Sequence, residues 1–322
     1  FAGAGTGTSG ASITAGISEN NYLGKGIKLS TNAMISEEEI KGKFSVINPN
    51  FKNTDRSLNA IVESTSSDFL STGGFKTSRT GFGIGTDFEQ YSDLYVNFEV
   101  SAYYEKLETS DNASAYKKKQ EGDYFENLIS YGITLNKLDQ NFQPTDGYLT
   151  TFSQTLPIYS DDSTIENSLK MSKYHSVNDS LILSAKVFLK SVNSLDENVR
   201  VSKRVYIPSS RLRGFESGAI GPKDGSQFIG GNYGSAINLN STLPNLLNGY
   251  EDIDFNLFLD AANLWHVDYD SSLDSDKIRS STGISMNWFT PIGPLSFSYA
   301  IPISEAKTDK TESFRFQIGT SF

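Results

Sequence analysis

The sequence predicts an all-β fold: a transmembrane antiparallel β-barrel of about sixteen strands, formed by residues 1–322 as a single domain. Three observations predict it. Apolar and polar residues alternate with a period of two in about sixteen segments of roughly ten residues, an even number, as closure by antiparallel hairpins requires. Hydrophobic residues make up only 37% of the chain, while aromatic residues reach 12%. Short connections alternate with longer polar ones.

The alternation can be followed along the chain. Four segments show it most clearly, and their apolar faces are Leu94, Val96, Phe98 and Val100, then Ile253, Phe255, Leu257 and Leu259, then Leu295, Phe297, Tyr299, Ile301 and Ile303, and finally Phe314, Phe316, Ile318 and Phe322. The segment NPNFKNTDR is an example of a short connection, and YEKLETSDNASAYKKKQEGDY is an example of a long one. Within the long connection, Lys117, Lys118 and Lys119 could meet anionic lipid headgroups, but they are interpreted as solvated loop residues.

A soluble β-sandwich is the main alternative to the membrane barrel. Its apolar face would point into a core, whereas the apolar face of a membrane barrel meets lipid. The strand count, aromatic residues near strand ends such as Trp265 and Trp288, and the lack of fully apolar strands favour the barrel. No run approaches the ~18 apolar residues of a membrane-spanning helix. Because the chain opens without a signal peptide, we expect it to be a piece of a longer precursor.

Composition excludes several classes of function. The chain has no cysteine, which rules out disulfides, thiolate chemistry and cysteine-ligated metal. Its formal net charge of −10 argues against a nucleic-acid partner. The two histidines, His175 and His266, lie near strand ends and belong to no recognisable triad or metal cluster. We therefore expect no enzymatic activity, no metal and no cofactor.

The first segment, FAGAGTGTSG, contains glycines that formally match the dinucleotide motif G-x-G-x-x-G, but no strand precedes them and no helix follows. A flexible linker is one interpretation. The other is a weak first strand, because glycine loses more entropy on ordering and leaves strand register poorly specified. A barrel must pair its first strand with its last, so a weak lateral seam is predicted there. Its residues would be Phe1, Gly3, Gly5 and Gly7, against Phe314, Phe316, Ile318, Gly319 and Phe322.

A second unusual segment, SSRLRGFESGAIGPKDG, lies in the longest irregular stretch, about residues 191–232. An arginine followed directly by Gly-Phe suggests a sharp backbone turn and a charge that reaches a specific partner. Asp260 is a candidate partner, since the apolar residues of its strand place it on the polar face. A carboxylate that points into a barrel needs a partner or water.

The segment RLRGFESGAIGPKDG resembles the loop signature of the BamA family, the central subunits of the bacterial outer-membrane barrel assembly machine. That signature has a small apolar residue, then Arg-Gly-Phe, then Gly-Pro a few residues later. The matching residues are Leu212, Arg213, Gly214 and Phe215, followed by Gly221 and Pro222. NNYLGKG, VINPNF, LNKLDQNFQPTDG, IGPLSFSYAIPI and FRFQIGTSF resemble further family segments in the family's order, so the resemblance covers nearly the whole chain.

The resemblance implies a loop that folds back into the lumen, where its arginine pairs with acidic residues on the barrel wall. Asp260 aligns with one family acid, and Asn240 stands where the family has a second. With one carboxylate, the anchoring would be weaker or would use the amide of Asn240. The alternative is that Arg213 is solvated and Asp260 merely lines a wet interior.

The resemblance also implies an outer-membrane assembly factor of a Gram-negative bacterium, which folds and inserts client β-barrels through the weak lateral seam without covalent chemistry. Its partners would be unfolded outer-membrane clients, outer-membrane lipids and accessory lipoproteins. The lipoproteins would bind the family's periplasmic POTRA domains, which are missing here. Two alternatives remain: a TamA-like factor or two-partner-secretion transporter of the same superfamily, and a passive porin-like channel.

Overall fold

A computed structural model describes residues 2–7, 10–244, 246, 252–290 and 293–318. Sixteen antiparallel strands form a closed barrel in chain order, which confirms the predicted fold. The barrel strands are labelled β1 (Ala2–Gly7), β2 (Gly10–Tyr22), β3 (Ile27–Ser36), β4 (Glu39–Asn48), β5 (Leu58–Phe69), β6 (Phe75–Tyr91), β7 (Leu94–Thr109), β8 (Gly122–Asn136), β9 (Gly147–Ser160), β10 (Thr164–Asn178), β11 (Leu181–Ser194), β12 (Tyr233–Pro244), β13 (Ile253–Trp265), β14 (Arg279–Thr290), β15 (Gly293–Ser304) and β16 (Phe314–Ile318).

The apolar faces of the strands point outward. On β13, Leu257 and Leu259 are 53% and 44% exposed, while Phe258 and Asp260 between and beside them are 4% and 0% exposed. The same outward exposure recurs around the barrel, for example at Ile13, Ile35, Val62, Phe82, Val100, Leu239, Ile284 and Ile301. A soluble sandwich would bury these side chains, and so large an apolar surface indicates contact with lipid.

The two ends of the barrel differ in their connections. The loop end carries residues 110–121, 195–232, 266–278 and 305–313. The opposite end, here the turn end, carries tight connections such as residues 92–93 and 179–180. The predicted division into short and long sides is only approximate, because the turn end also has the longer residues 49–57 and 137–146, and the loop end has the short residues 37–38.

The long irregular stretch begins later than predicted. Residues 191–194 belong to β11, where they pair with residues 164–167 of β10, so the expected start at residue 191 is wrong. The irregular stretch is residues 195–232, here called the lumen loop. It contains a 3₁₀ turn, Val201–Lys203, and a small hairpin in which Lys223–Asp224 pairs with Gln227–Phe228. No helix in the described part of the chain is long and apolar enough to cross a membrane.

The apolar core lies inside the barrel, between the lumen loop and the inner wall at the loop end. The loop contributes Val199, Val205, Ile207, Leu212, Phe215 and Ile220, and the wall contributes Phe188, Val192, Ala236, Ala262 and Leu264. All of these side chains are less than a tenth exposed. The loop therefore packs against the wall as a plug at this end of the lumen, and burial of that apolar surface helps to offset the entropy of ordering so long a segment.

Candidate functional site

Arg213 lies where the lumen loop meets the inner wall. Its guanidinium donates two parallel hydrogen bonds to Asp260, from Nε to Oδ2 and from Nη2 to Oδ1, each 2.7 Å long. Nη2 also donates to Oδ1 of Asn240 at 2.8 Å, and the guanidinium lies 3.6 Å from the ring centroid of Phe258. The structure thus brings together the three residues expected to anchor the loop, in the bidentate geometry that makes an ion pair strong.

The Asp260 carboxylate is fully enclosed and has further donors. Oδ2 accepts the backbone N–H of Arg213 at 3.1 Å, and Oδ1 accepts Nδ2 of Asn238 at 2.8 Å. Asn238 also donates to the carbonyl of Arg211 at 2.9 Å, so it holds the carboxylate and the loop backbone together. Ser281 of β14 donates to the carbonyl of Arg213. Three wall strands therefore fix this one turn of the loop.

The other three motif residues set the path of that turn. Leu212 and Phe215 are each 1% exposed and pack in the lumen core. Gly214 between them has φ +90°, and a Cβ there would lie 3.1 Å from Cβ of Ala300 and 3.4 Å from Cβ of Ser281. Glycine is therefore required both by the backbone conformation and by the close approach to β14 and β15.

We expect Gly214→Ala to destabilise the barrel by about 1–2 kcal/mol from backbone strain, with an added cost from crowding against Ala300. Thermal unfolding in detergent micelles measures this loss. Gly225→Ala is the matched control, since Gly225 also has a positive φ of 63° but nothing within 4 Å of its added Cβ. An equal loss in both variants would contradict the role of close approach.

A larger ion cluster, which the sequence did not predict, lies elsewhere in the loop end. Glu126 of β8 is 0% exposed and accepts Arg200 Nη2 at 3.0 Å, with Lys203 Nζ in a second short ion pair. Arg200 Nη1 also lies 3.2 Å from Oδ2 of Asp162. Burial raises the pKa of the Asp162 carboxyl, and the nearby charge of Arg200 counteracts part of that increase. Ser202 donates to Glu105 at 2.7 Å. The 3₁₀ turn of the lumen loop is thus tied to the wall at β7 and β8.

A third tie joins the lumen loop to the connection between β13 and β14. Arg204 forms a short ion pair with Asp268, whose other carboxylate oxygen accepts the backbone N–H of Val199 at 2.7 Å and Nδ2 of Asn232 at 2.9 Å. Both ends of the lumen loop therefore converge on Asp268. This carboxylate belongs to a surface connection, residues 266–278, and not to a barrel strand.

The sequence contains one signal for these ties. In the segment VRVSKRV, basic residues alternate with valines inside a loop that packs as core, and buried cations need acidic partners. Sequence alone could not choose the partners, because 74 residues separate Arg200 from Glu126.

Lys117 departs from its interpretation as a solvated loop residue. Its side chain is buried, and Nζ donates to the carbonyl of Gly73 and to Oε1 of Gln227, each at 2.9 Å. Burial lowers the pKa of Lys117 to about 8. Because Gln227 belongs to the lumen loop, Lys117 ties the connection between β7 and β8 to the plug.

The seam between the first and last strands is described over part of its length. Thr6 pairs with Ile318 and Gly7 with Gln317, while β1 pairs with β2 over its whole length from Ala2 to Gly7. A Cβ on Gly7 would lie 2.4 Å from the carbonyl oxygen of Phe316. Gly3 and Gly5 are on β1, opposite Thr14 and Ser12 of β2, and Phe314 and Phe316 are on β16. Phe1, Gly319 and Phe322 lie outside the described residues.

A polar cavity of about 800 Å³ lies on the turn-end side of the anchor. Arg213 and Asn240 border it, and so do Ser296, Ser298 and Gln317 from the inner faces of the last two strands. The anchor and the seam strand therefore share one water-accessible chamber.

The histidines form no catalytic arrangement in the part of the chain that the structure describes. His175 Nδ1 lies 3.2 Å from Asp146 at an exposed position, and His266 stacks on Tyr233 with ring centroids 5.0 Å apart. Among the described residues, no group of three or more His, Asp or Glu side chains could hold a metal.

Known proteins are similar to this chain over nearly its whole length. A family model described as the Omp85 superfamily domain matches residues 21–322. The outer membrane protein assembly factor BamA of Neisseria meningitidis serogroup B is 25% identical over 366 residues, covering 96% of this chain and 45% of that protein. BamA of Nitratidesulfovibrio vulgaris is 26% identical over 321 residues, covering 95% of this chain and 39% of that protein.

A solved structure gives the same result. The crystal structure of BamA from Haemophilus ducreyi lacking POTRA domains 1–3 is similar with a TM-score of 0.92 and 25% identity, covering 100% of this chain and 69% of that chain. These findings confirm the resemblance drawn from the loop motif. The chain spans less than half the length of the two curated relatives.

Proposed function

Because this chain belongs to the Omp85 superfamily, we propose that it is the membrane-embedded part of an assembly factor that folds and inserts client β-barrel proteins. The protein lies in a bacterial outer membrane, as its BamA relatives and its lipid-facing barrel indicate. The single observation that carries the proposal is the lumen loop held at Asp260 by the Arg213 motif, since Arg213 and the inner face of the seam strand β16 border the same cavity.

The seam between β1 and β16 is the proposed site at which a client strand pairs with the barrel. β1 is short and consists of glycine, alanine and threonine, so its side chains contribute little packing across the pairing with β16. A strand pair of this kind parts at low cost, and parting exposes unpaired backbone N–H and C=O groups. An incoming client strand can pair with these groups by β-augmentation, which needs no particular side-chain sequence. Client folding would then proceed without covalent chemistry.

The lumen loop has a complementary task. It occupies the loop end of the barrel as a plug, held by packed side chains and by three sets of ion pairs. A barrel whose seam opens must not become an open pore, and the plug keeps that end closed while the seam moves. A passive porin-like channel would instead need a continuous lumen.

The partners follow from the proposed function. They are unfolded outer-membrane barrel clients, the surrounding outer-membrane lipids, and accessory lipoproteins that would bind periplasmic domains of the kind that the family resemblance implies. The share of the relatives' length that this chain covers, 45% and 39%, leaves room for such domains. A TamA-like factor or a two-partner-secretion transporter of the same superfamily is the alternative, and the number of periplasmic domains, which differs between these branches, separates them.

The test uses the chain reconstituted in liposomes together with a urea-unfolded client barrel. We expect the client to fold faster than in protein-free liposomes and faster than with an equal amount of a porin, as followed by the gel shift of folded barrels. Ion conductance is measured in parallel. No acceleration over the porin, with a steady open conductance, would overturn the proposal in favour of a passive channel.

A further inference from the structure

The connection between β15 and β16, residues 305–313, folds inward over the lumen loop. Its end forms a short antiparallel ladder with the motif, in which Gly214 pairs with Glu312 and Phe215 with Thr311. The ladder continues on the loop side, because the backbone N–H of Glu216 donates to the carbonyl of Lys310 at 3.0 Å. The backbone of the motif thus has residues 310–312 as its partner.

A buried ion pair holds this connection in place. Asp309 and Arg279 are 0% and 1% exposed, and Arg279 donates to Asp309 from Nε at 2.9 Å and from Nη2 at 3.1 Å. Nη1 of Arg279 is satisfied separately, by Asn263 Oδ1, Ser275 Oγ and the carbonyl of Lys277. The guanidinium therefore spans β13, β14 and the 266–278 connection, and it presents one fixed face to Asp309.

Asp309 also organises the backbone on both sides of the contact. Its carboxylate accepts the N–H of Ala306 within its own connection at 2.7 Å and the N–H of Gly221 in the lumen loop at 3.4 Å. The N–H of Lys310 next to it donates to the carbonyl of Ala219 at 3.1 Å. One carboxylate thus sits at the point where the wall, the connection and the lumen loop meet.

The connection leads directly into the seam strand. Glu312 pairs with the motif, Ser313 accepts the N–H of Ala300 at 2.8 Å, and Phe314 begins β16. A single residue therefore separates the backbone paired with the lumen loop from the strand that closes the barrel on β1. So short a segment cannot absorb a displacement, since extended backbone spans only about 3.3–3.6 Å per residue.

We propose that residues 305–313 couple the lumen loop to the seam, and that Asp309 is the positioning residue of this coupling. While Asp309 holds the connection against Arg279, the motif ladder keeps the start of β16 paired with β15, at Phe314 and Tyr299, three residues before β16 begins to pair with β1 at Gln317. Release of the ladder frees the start of β16 and lowers the cost of parting the seam. The inference rests on the proposed function only in that client strands are proposed to pair with an open seam. The coupling itself is a property of the barrel.

The first test is Asp309→Asn, measured by amide hydrogen exchange of the barrel in lipid nanodiscs. We expect exchange in β16 and β1 to become at least about tenfold faster, because a lost buried ion pair shifts local opening. Asp254→Asn is the matched control: it removes a carboxylate of β13 whose partner is Gln143 at the turn end, away from the lumen loop and from residues 305–313. It should leave exchange in β16 unchanged. Equal acceleration of β16 in both variants would overturn the coupling.

The second test does not depend on a destabilised variant. Glu216 and Lys310 face each other across the ladder, about half exposed and outside the motif, and the chain has no other cysteine to interfere. In Glu216→Cys/Lys310→Cys, the oxidised tether should slow exchange of β16 at least about tenfold relative to the reduced form. Unchanged exchange would overturn the inference, even if Asp309→Asn fails to fold.

Client folding in liposomes is then measured with the oxidised and reduced tether. Slower exchange together with slower client folding supports both the coupling and the use of the seam. Slower exchange with unchanged client folding supports the coupling and contradicts the proposed use of the seam. Unchanged exchange contradicts the coupling whatever the folding rate is, so the two failures are distinguishable.

Discussion

Replacing Arg213 with alanine is expected to release the lumen loop from the barrel wall and to remove most of the assembly activity. The substitution leaves the Asp260 carboxylate enclosed, with only the N–H of residue 213 and the amide of Asn238 as donors. Breaking a buried ion pair costs about 3–5 kcal/mol. Since the Arg213 side chain is 17% exposed and borders the wet cavity, we expect the lower end, about 3 kcal/mol. That is on the order of a hundredfold in the population of released loop.

Limited trypsin digestion of the barrel in liposomes measures the release, because Arg211 and Lys223 lie within the lumen loop. The variant should be cut between β11 and β12 much faster than the unchanged protein. Asp254→Asn is the matched control. Asp254 lies on β13, as Asp260 does, and lines the cavity that Arg213 borders, but its hydrogen-bond partner is Gln143 at the turn end. Resistance of Arg213→Ala equal to that of the unchanged protein would contradict the lock.

Asp260→Asn separates charge from shape at the same position. The amide keeps the size of the side chain and one acceptor oxygen, but it leaves the Arg213 guanidinium without its counter-charge. We expect the same increase in cleavage as for Arg213→Ala. If Asp260→Asn behaves like the unchanged protein, then packing of Leu212 and Phe215 holds the loop and the ion pair is dispensable.

Crosslinking the seam is expected to abolish the acceleration of client folding. Thr6 and Ile318 are paired residues of β1 and β16, and antiparallel partners lie about 4.5–5.5 Å apart between Cα atoms, within the range of a disulfide. With Thr6→Cys/Ile318→Cys, the oxidised barrel should fold a client no faster than protein-free liposomes do. Reduction should restore the acceleration, since no native cysteine takes part.

Leu239→Cys/Leu259→Cys is the control for this crosslink. These residues are also antiparallel partners on the outward face, but they join β12 to β13, away from the seam. Its oxidation should leave client folding unchanged. Equal acceleration by oxidised and reduced seam variants would mean that insertion depends on disturbance of the membrane around a closed barrel. Loss of acceleration in both crosslinked pairs would point to a general need for a flexible wall.

Much of the candidate site could be predicted from the sequence because a single motif contains its main residues. Leu212 to Phe215 resemble a family signature, and the period-two pattern of β13 placed Asp260 on the inner face; together they led to the pair that lies 2.7 Å apart. Asn240 followed from the same resemblance. The start of the lumen loop was wrong by a few residues, since β11 continues to Ser194 by pairing with β10, and polar residues there look like loop in a linear pattern.

The remaining ties were beyond sequence reasoning for a common reason. A charged lysine in a polar loop is predicted to be solvated. The burial of Lys117 depends on its contact with Gln227, which is 110 residues away. Arg279 and Asp309 resemble ordinary strand and loop residues until the connection before β16 folds inward. In each case the partner is chosen by the path of a loop through the lumen.

The sequence by itself determined the barrel, its lipid-facing surface and the weak composition of its first strand, because these depend on alternation and residue type within single segments. Only the tertiary structure decided that the lumen loop is a plug with several buried ion pairs and that its motif is joined to the seam strand through residues 305–313. The physical reason is that a strand's two faces are set by local pleat geometry. The partner of a buried charge is set by closure of the whole barrel, which brings distant segments into one lumen.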